Sequence, residues 1–272
     1  DRIADFLETY AERIEAATET VVECAFAETG LARSPRLGEV ELPRTSNQLR
    51  AAAAACRTGS WALPTIDTRA SIRSCYGPLG PVCVFGPNNF PFAFGSISGG
   101  DFAAAIAAGN PVIGKANSSH PETTRLLAQE AFESVKEAGL PPATVQLLYR
   151  TRHPDGERLV SDARLGATGY TGSRPAGLAL KAAADRAGIP IYLELSSVNP
   201  VVITPGARIR DDESIWAHVV DTKPRRKLNA NLIIARCRSR LSPAFLAAGP
   251  AVLSPTLAGR QAADVRWMNP AR

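Results

Sequence analysis

PVCVFGPNNFPFAFG, residues 81–95, runs an apolar segment into a Gly-Pro break, two side-chain amides and a Phe-Pro-Phe return. The first six residues, PVCVFG, carry no polar alternation. Such a run fits a strand covered on both faces, the habit of parallel sheets. The amides of Asn88 and Asn89 sit beside this hydrophobic surface. A buried amide without partners costs roughly 1–3 kcal/mol. Either these amides are satisfied internally, or one is held for an arriving group.

Outward from that stretch, short apolar runs alternate with helical spacing. We expect a helix over 96–108, a strand at PVIGK (111–115), and a capping box Ser119-His-Pro-Glu122 opening a helix to about Ala138. VQLLY (145–149) reads as a strand, 154–162 as a short helix, LGATGY (165–170) as a strand and 173–187 as a helix. IPIYLEL (189–195) and PVVIT (200–204) follow as strands. Apolar strands separated by helices predict a doubly wound α/β domain, which binds ligands at the carboxyl ends of its strands.

On the amino-terminal side, Ile3, Phe6, Leu7, Tyr10, Ile14, Ala17 and Val21 have helical spacing, and Gly30 supplies a stop. A second helix runs from near Thr45 to Arg57. Residues 58–80 mix turn and β-branched residues and read as a short hairpin or connector. Beyond Pro205-Gly206 the periodicity fades, although WAHVV and NLIIA have strand character.

Composition limits the function classes. Of 272 residues, 45% are hydrophobic and 21% charged, as in ordinary globular chains. No window has 18 consecutive apolar residues, so no membrane helix is expected, and DRIADFLETY lacks a signal-peptide pattern. Five cysteines without a CxxC pair, and three His, argue against a disulfide framework or a structural zinc site. A cytoplasmic, reducing setting is the default expectation. The first residue is not Met and the single Met is Met268, so a fragment or processed product is expected. From Arg208 onward ten Arg and two Lys face five acids, a surplus of seven, while the residues before it sum to −2. This basic tail lacks aromatic interleaving, which argues against nucleic acid as a partner.

Three motifs carry chemistry, each with a plainer alternative. TGYTGSRPAG (168–177) ends a strand and opens a helix; Gly169, Gly172 and Gly177 permit close backbone approach, and Ser173 can cap. A helix N-terminus attracts phosphate, but a tight strand–helix turn explains the same residues. Lys115 ends PVIGK, where it can meet a ribose or phosphate or simply face water. Glu194 lies in an apolar strand; desolvation there would raise its pKa and suit it as a general base, whereas a strand end facing water leaves it ordinary.

Taken in this order, GPNNFPFAF, AAAIAAGNPVIGKANSSHPETT, EAGLPPATVQLL, TGYTGSRPAG and LELSSVNPVVI resemble the aldehyde dehydrogenase superfamily over roughly residues 1–206. The chain is similar in particular to the branch acting on α-ketoglutaric semialdehyde (2,5-dioxovalerate), which tends to use NADP. The resemblance implies catalytic roles for Asn89, donating its amide to the substrate carbonyl oxygen, and Glu194, the base that activates water. It implies a cofactor site of Lys115, Ser118, Gly172, Ser173 and Gly177. Ser118 stands where many NAD-using members place a Glu against the ribose 2′-hydroxyl. That loss of a carboxylate favours NADP, with NAD as the second candidate. No metal is implied.

One departure stands out. The family nucleophile is a Cys in an FCTNPG-like segment, and the corresponding position holds Leu228; Cys237 lacks those flanks. NANLIIAR is faintly similar to a NAGFNCxAAR-like run, with Leu232 where its Cys would be. Three regions are expected: N-terminal helices and connector (1–80), a dinucleotide-binding domain (81–206), and a basic remnant of the catalytic domain (207–272). Two functions remain open, with a basic-tail interaction module as a third. One is an NAD(P)-dependent dehydrogenase oxidising a small-molecule aldehyde to an acid. The other is a truncated, catalytically inactive dinucleotide-binding protein. The family's homo-oligomers pair through a hairpin near residues 60–77 and the catalytic domain.

Overall fold

Strand β3, Val82–Phe85, is buried at every position, and its alternation divides the structure into two layers. Val82 and Val84 belong to one apolar cluster, Cys83 and Phe85 to another on the opposite face. The computed structural model describes residues 2–195 and the backbone of strands at 198–203 and 231–236. Contacts divide the chain into two units, Asp1–Leu195 and Ser196–Arg272.

In the first unit, β3 pairs in parallel with β4 (Val112–Lys115) on one side and β6 (Ala167–Thr171) on the other. β5 (Val145–Leu148) extends the sheet beyond β4, and β7 (Ile191–Glu194) extends it beyond β6. The order β5-β4-β3-β6-β7 reverses direction between β3 and β6. Helices α4 (Gly100–Ala107) and α5 (Pro121–Glu137) bury apolar residues in the cluster around Val84. α6 (His153–Val160) and α7 (Arg174–Ala187) contribute to the Cys83 cluster. Helices on both faces of a parallel sheet make the fold doubly wound, as expected.

The N-terminal helices complete the α4–α5 layer. α1 (Arg2–Ala16) buries Phe6, Leu7, Tyr10 and Ile14, and α3 (Leu42–Thr58) buries Leu49 and Ala53. Phe6, Tyr10 and Phe102 form an aromatic trio with centroid separations of 5.9–6.4 Å. Tyr10 Oη lies 3.1 Å from Leu127 O and 3.3 Å from Ile97 O, so its proton is satisfied although the ring is fully buried.

The single helix expected over 3–24 is two. α2 (Thr18–Thr29) starts after a bend at Ala17 (φ −89°, ψ 9°). The Thr18 hydroxyl donates to Glu15 O at 2.6 Å, the back-bonding that bends helices. Apolar spacing survives the bend, which is why the pattern read as continuous. The hairpin is formed by β1 (Thr65–Asp67) and β2 (Ile72–Ser74), antiparallel and fully exposed.

The expected capping box at Ser119 does not form. His120 occupies the N-cap position of α5 without a side-chain cap bond, and Glu122 pairs with Arg125 instead. The cap comes from α2. Glu28 accepts the N–H groups of Glu122 (2.9 Å) and Thr123 (2.8 Å).

In the second unit, β8 (Val198–Ile203) and β9 (Asn231–Arg236) pair in parallel from Val198↔Asn231 to Ile203↔Arg236. NLIIA therefore lies in a strand, while WAHVV, Leu228 and Cys237 fall outside the described residues.

Candidate functional site

Ligand crevices of doubly wound sheets open at the carboxyl ends of strands where the strand order reverses. Here that point lies between β3 and β6. The loop leaving β3 carries Asn88 and Asn89, and the turn leaving β6 carries Gly172 and Ser173. Lys115 ends β4, Ser118 lies in the following turn, and Glu194 ends β7. All of these residues sit at the same edge. The register makes this explicit: Phe85 pairs with both Lys115 and Tyr170, and Thr171 pairs with Glu194.

Asn89 is half-buried, and its side-chain amide makes no hydrogen bond with any described residue. Its aim is set by the backbone that carries it. Two side chains of the β4–α5 loop hold that backbone. Asn117 Nδ2 donates to Gly86 O at 3.0 Å, and His120 Nε2 donates to Pro87 O at 3.0 Å. A carbonyl only accepts, so the His120 proton resides on Nε2.

Lys115 is half-buried and joins no ion pair among the described residues. Desolvation, then the nearby Arg150 guanidinium, push its ammonium below the usual lysine range. A cation so placed gains from an anionic ligand, which suits the phosphate or ribose of a dinucleotide. Ser118 is exposed and brings no carboxylate to this edge.

The turn at 171–177 is built around Tyr170. Its hydroxyl donates to Ser173 O at 3.1 Å, and burial pushes its phenol up. A Cβ on Gly172 would lie 2.6 Å from Tyr170 Oη; one on Gly177 would lie 2.6 Å from Leu195 Cδ2 and 3.0 Å from Tyr170 Cε1. A side chain at either position would therefore have to displace the Tyr170 ring or the Leu195 side chain. Ser173 is the N-cap residue of α7 but makes no side-chain cap bond. The first-turn N–H groups of the helix have no intrahelical partner, and they meet the crevice at the positive end of its dipole. These donors and Lys115 fit a dinucleotide diphosphate and ribose.

Glu194 is exposed at the strand end, which matches the plainer of its two sequence readings. The sequence reading missed its neighbour. Asp101, in the first turn of α4, has Oδ2 2.8 Å from the position a Cβ on Gly169 would take. Its carboxyl is pushed up by burial and then by the charge of Glu194. Gly99-Gly100-Asp101 at a helix start was the only local sign of this carboxyl. Cys83 is buried in β3, and burial pushes its thiol up to about 12. That excludes it as a nucleophile at neutral pH.

A parallel sheet whose strand order reverses between β3 and β6, covered by helices on both faces, defines the class: a doubly wound α/β chain. The family model described as "Aldehyde dehydrogenase family" matches residues 1–220, and the chain belongs to that family. It is 40% identical over 230 residues to alpha-ketoglutaric semialdehyde dehydrogenase 2 of Azospirillum brasilense, covering 80% of this chain and 43% of that protein. It is 39% identical over 215 residues to alpha-ketoglutaric semialdehyde dehydrogenase of Acinetobacter baylyi, covering 75% and 40%. This chain therefore spans about two-fifths of the length of these curated relatives. Among solved structures, a glyceraldehyde-3-phosphate dehydrogenase of Methanocaldococcus jannaschii complexed with NADP superposes with a TM-score of 0.70 at 19% identity, covering 93% of this chain and 54% of that one. A NAD-dependent benzaldehyde dehydrogenase of Corynebacterium glutamicum gives 0.64 at 26% identity, covering 80% and 46%. No described helix is long and apolar enough to cross a membrane.

Proposed function

We propose that this chain is the cofactor-binding part of an NAD(P)-dependent aldehyde dehydrogenase that oxidises an aldehyde, in the first instance α-ketoglutaric semialdehyde, to its acid, with NADP preferred. The carrying observation is Lys115: a half-buried cation without an ion-pair partner among the described residues, at the edge that also holds the open N-terminus of α7. Lys115 would hold the adenosine ribose, and Gly172, Ser173 and Gly177 would shape the turn that meets the diphosphate. When bound, the nicotinamide supplies the hydride acceptor. Asn89 would donate its amide to the carbonyl oxygen, where a preorganised donor is worth a few kcal/mol (about 3) of barrier. Glu194 would take a proton from the water that releases the acid.

A second reading has its own observation. Leu228 stands where the family's thiol is expected, and Cys83 is disqualified by burial. Cys237 lies outside the described residues. On this reading the chain binds dinucleotide without oxidising aldehyde, because nucleophile, amide and base act as a unit.

Calorimetry with NADP+ and NAD+ tests the cofactor claim. NADP+ is expected to bind more tightly. Ser118→Glu is expected to weaken NADP+ by about tenfold and to spare NAD+, by placing a carboxylate against the 2′-phosphate. Absence of heat with both dinucleotides overturns the proposal. Turnover abolished by Cys237→Ala assigns the thiol, and binding without turnover selects the second reading.

A further inference from the structure

The most enclosed carboxylate of the first unit serves neither cofactor nor sheet. Glu41, at the end of the segment Arg33–Glu41, has a side chain that is 0% exposed. Its Oε1 accepts two backbone N–H groups, from Phe92 at 2.8 Å and Ala93 at 3.1 Å. Its Oε2 accepts Arg36 Nη1 at 2.5 Å. The other arm of the same guanidinium, Nη2, donates to Asn89 O at 2.9 Å. The plane between the arms covers the Phe90 ring, with Cζ 4.2 Å from its centroid. One ion pair therefore grips the loop at both ends: the carbonyl of Asn89, and the N–H groups three and four residues later. Pro91, between them, has no N–H to offer.

Burying an ion pair is a poor way to gain stability. Apolar residues of similar volume commonly fold as well or better, whereas removal of one partner is strongly destabilising. What the pair offers here is geometry. The Asn89 amide has no described partner, so its orientation depends on the carbonyl next to it and the turn that follows. We infer that Arg36 and Glu41 are positioning residues for Asn89, clamping residues 89–93 so that its amide is preset for a carbonyl oxygen. The inference rests on the proposed role of Asn89. It adds two residues on the N-terminal segment, distant in sequence from the crevice, to the machinery that prepares the loop.

The test uses the 272-residue chain, with Glu41→Gln, Arg36→Lys, Asn89→Ala and the double variant Asn89→Ala/Glu41→Gln. Lysine at 36 keeps a charge beside Glu41 but cannot serve Glu41 and Asn89 O with a planar fork. Amide hydrogen exchange over 88–93 is expected to quicken by about tenfold in E41Q and R36K, with 112–148 unchanged. NADP+ affinity is expected to stay within about twofold, because the clamp touches no cofactor residue. With α-ketoglutaric semialdehyde as probe, kcat is expected to fall by about tenfold or more at unchanged KM for NADP+. The double variant is expected to be no slower than N89A alone.

A double variant slowed by the product of the two single effects means a general structural role and overturns the inference. A slow N89A beside an unaffected E41Q and R36K overturns the positioning claim alone. An N89A as fast as wild type removes the role of Asn89 and the inference with it. If the chain turns over no aldehyde, exchange decides: faster exchange confined to 86–95 supports the clamp, and unchanged exchange there refutes it. Where E41Q does not fold, R36K carries the same readouts.

Discussion

His120 Nε2 donates to Pro87 O across 3.0 Å, tying the N-terminus of α5 to the loop that leaves β3. The imidazole is 1% exposed, and its other nitrogen lies 3.2 Å from Thr124 Oγ1. Two loops at adjacent strand ends, one carrying Asn89 and the other following Lys115 and carrying Ser118, are thereby joined, as they also are through Asn117 and Gly86 O.

This link makes the acid limb of stability specific. Burial, the largest cause, holds the His120 pKa below the usual 6.5. The folded state therefore binds its proton less readily than the unfolded chain. The stabilising contribution is present above the unfolded pKa and is lost as pH falls through the folded value. His120→Phe fills the site without titrating. It is expected to cost about 1–3 kcal/mol at neutral pH by leaving Pro87 O unpaired. It is also expected to flatten the decline in melting temperature below about pH 6.5. Parallel melting curves for variant and wild type across that range would rule this out.

Gly172 is set by its neighbour. A methyl group there would overlap the Tyr170 hydroxyl, at 2.6 Å, and Cζ, at 2.9 Å. Gly172→Ala is expected to destabilise by about 1–3 kcal/mol, the range of overpacking, and to weaken NADP+ binding by displacing the Ser173 carbonyl that Tyr170 holds. Tyr170→Phe in the G172A background removes the nearest clashing atom and is expected to recover part of both losses. Urea melts and calorimetry on the wild type and both variants measure it. No recovery would show that the Tyr170 hydroxyl is not what demands the glycine.

The central strand was legible because both its faces are covered, so the apolar run VCVF needed no alternation to be recognised. Asn89 and Ser118 were singled out by the family resemblance, and Lys115 and the 172–173 turn also by their own motifs; the topology places all of them at or just beyond strand ends. What was not legible acts through space. Arg36 reaches Asn89 across 53 positions, and Glu28 reaches Glu122 across 94. Neither contact leaves a local pattern. The Ser119 capping box misled for a related reason. Its Ser-x-x-Glu spacing is correct, but α2 brings a carboxylate from outside the helix to the same N–H groups. The bend at Ala17 was hidden because apolar periodicity continues across it.

Thiol accessibility provides an independent check on the sheet. Cys75 is exposed, and Cys83 is fully buried with its thiol pushed up to about 12. Alkylation by iodoacetamide near neutral pH, read by peptide mapping, is expected to label Cys75 at least about a hundredfold faster than Cys83. Label on Cys83 should appear at the rate of opening of β3. Comparable rates for the two in the native protein would contradict the placement of β3 at the centre of the sheet.

The cap on α5 separates the sequence reading from the structure most directly. Glu28 Oε1 accepts Glu122 N–H at 2.9 Å; Oε2 accepts Thr123 N–H at 2.8 Å and the Thr123 hydroxyl at 2.7 Å. The carboxylate also lies at the positive end of the helix dipole. Glu28→Ala removes all of these and is expected to cost about 1–2 kcal/mol, the upper part of the N-cap range. Ser119→Ala is expected to change stability by less than about 0.5 kcal/mol, since only the backbone N–H of Ser119 is engaged, to Asn117 Oδ1 at 2.9 Å. Because α5 opens directly into the loop holding Lys115 and His120, E28A should also raise hydrogen exchange over 117–124. Equal losses from the two variants would restore the local capping box and count against the α2–α5 contact.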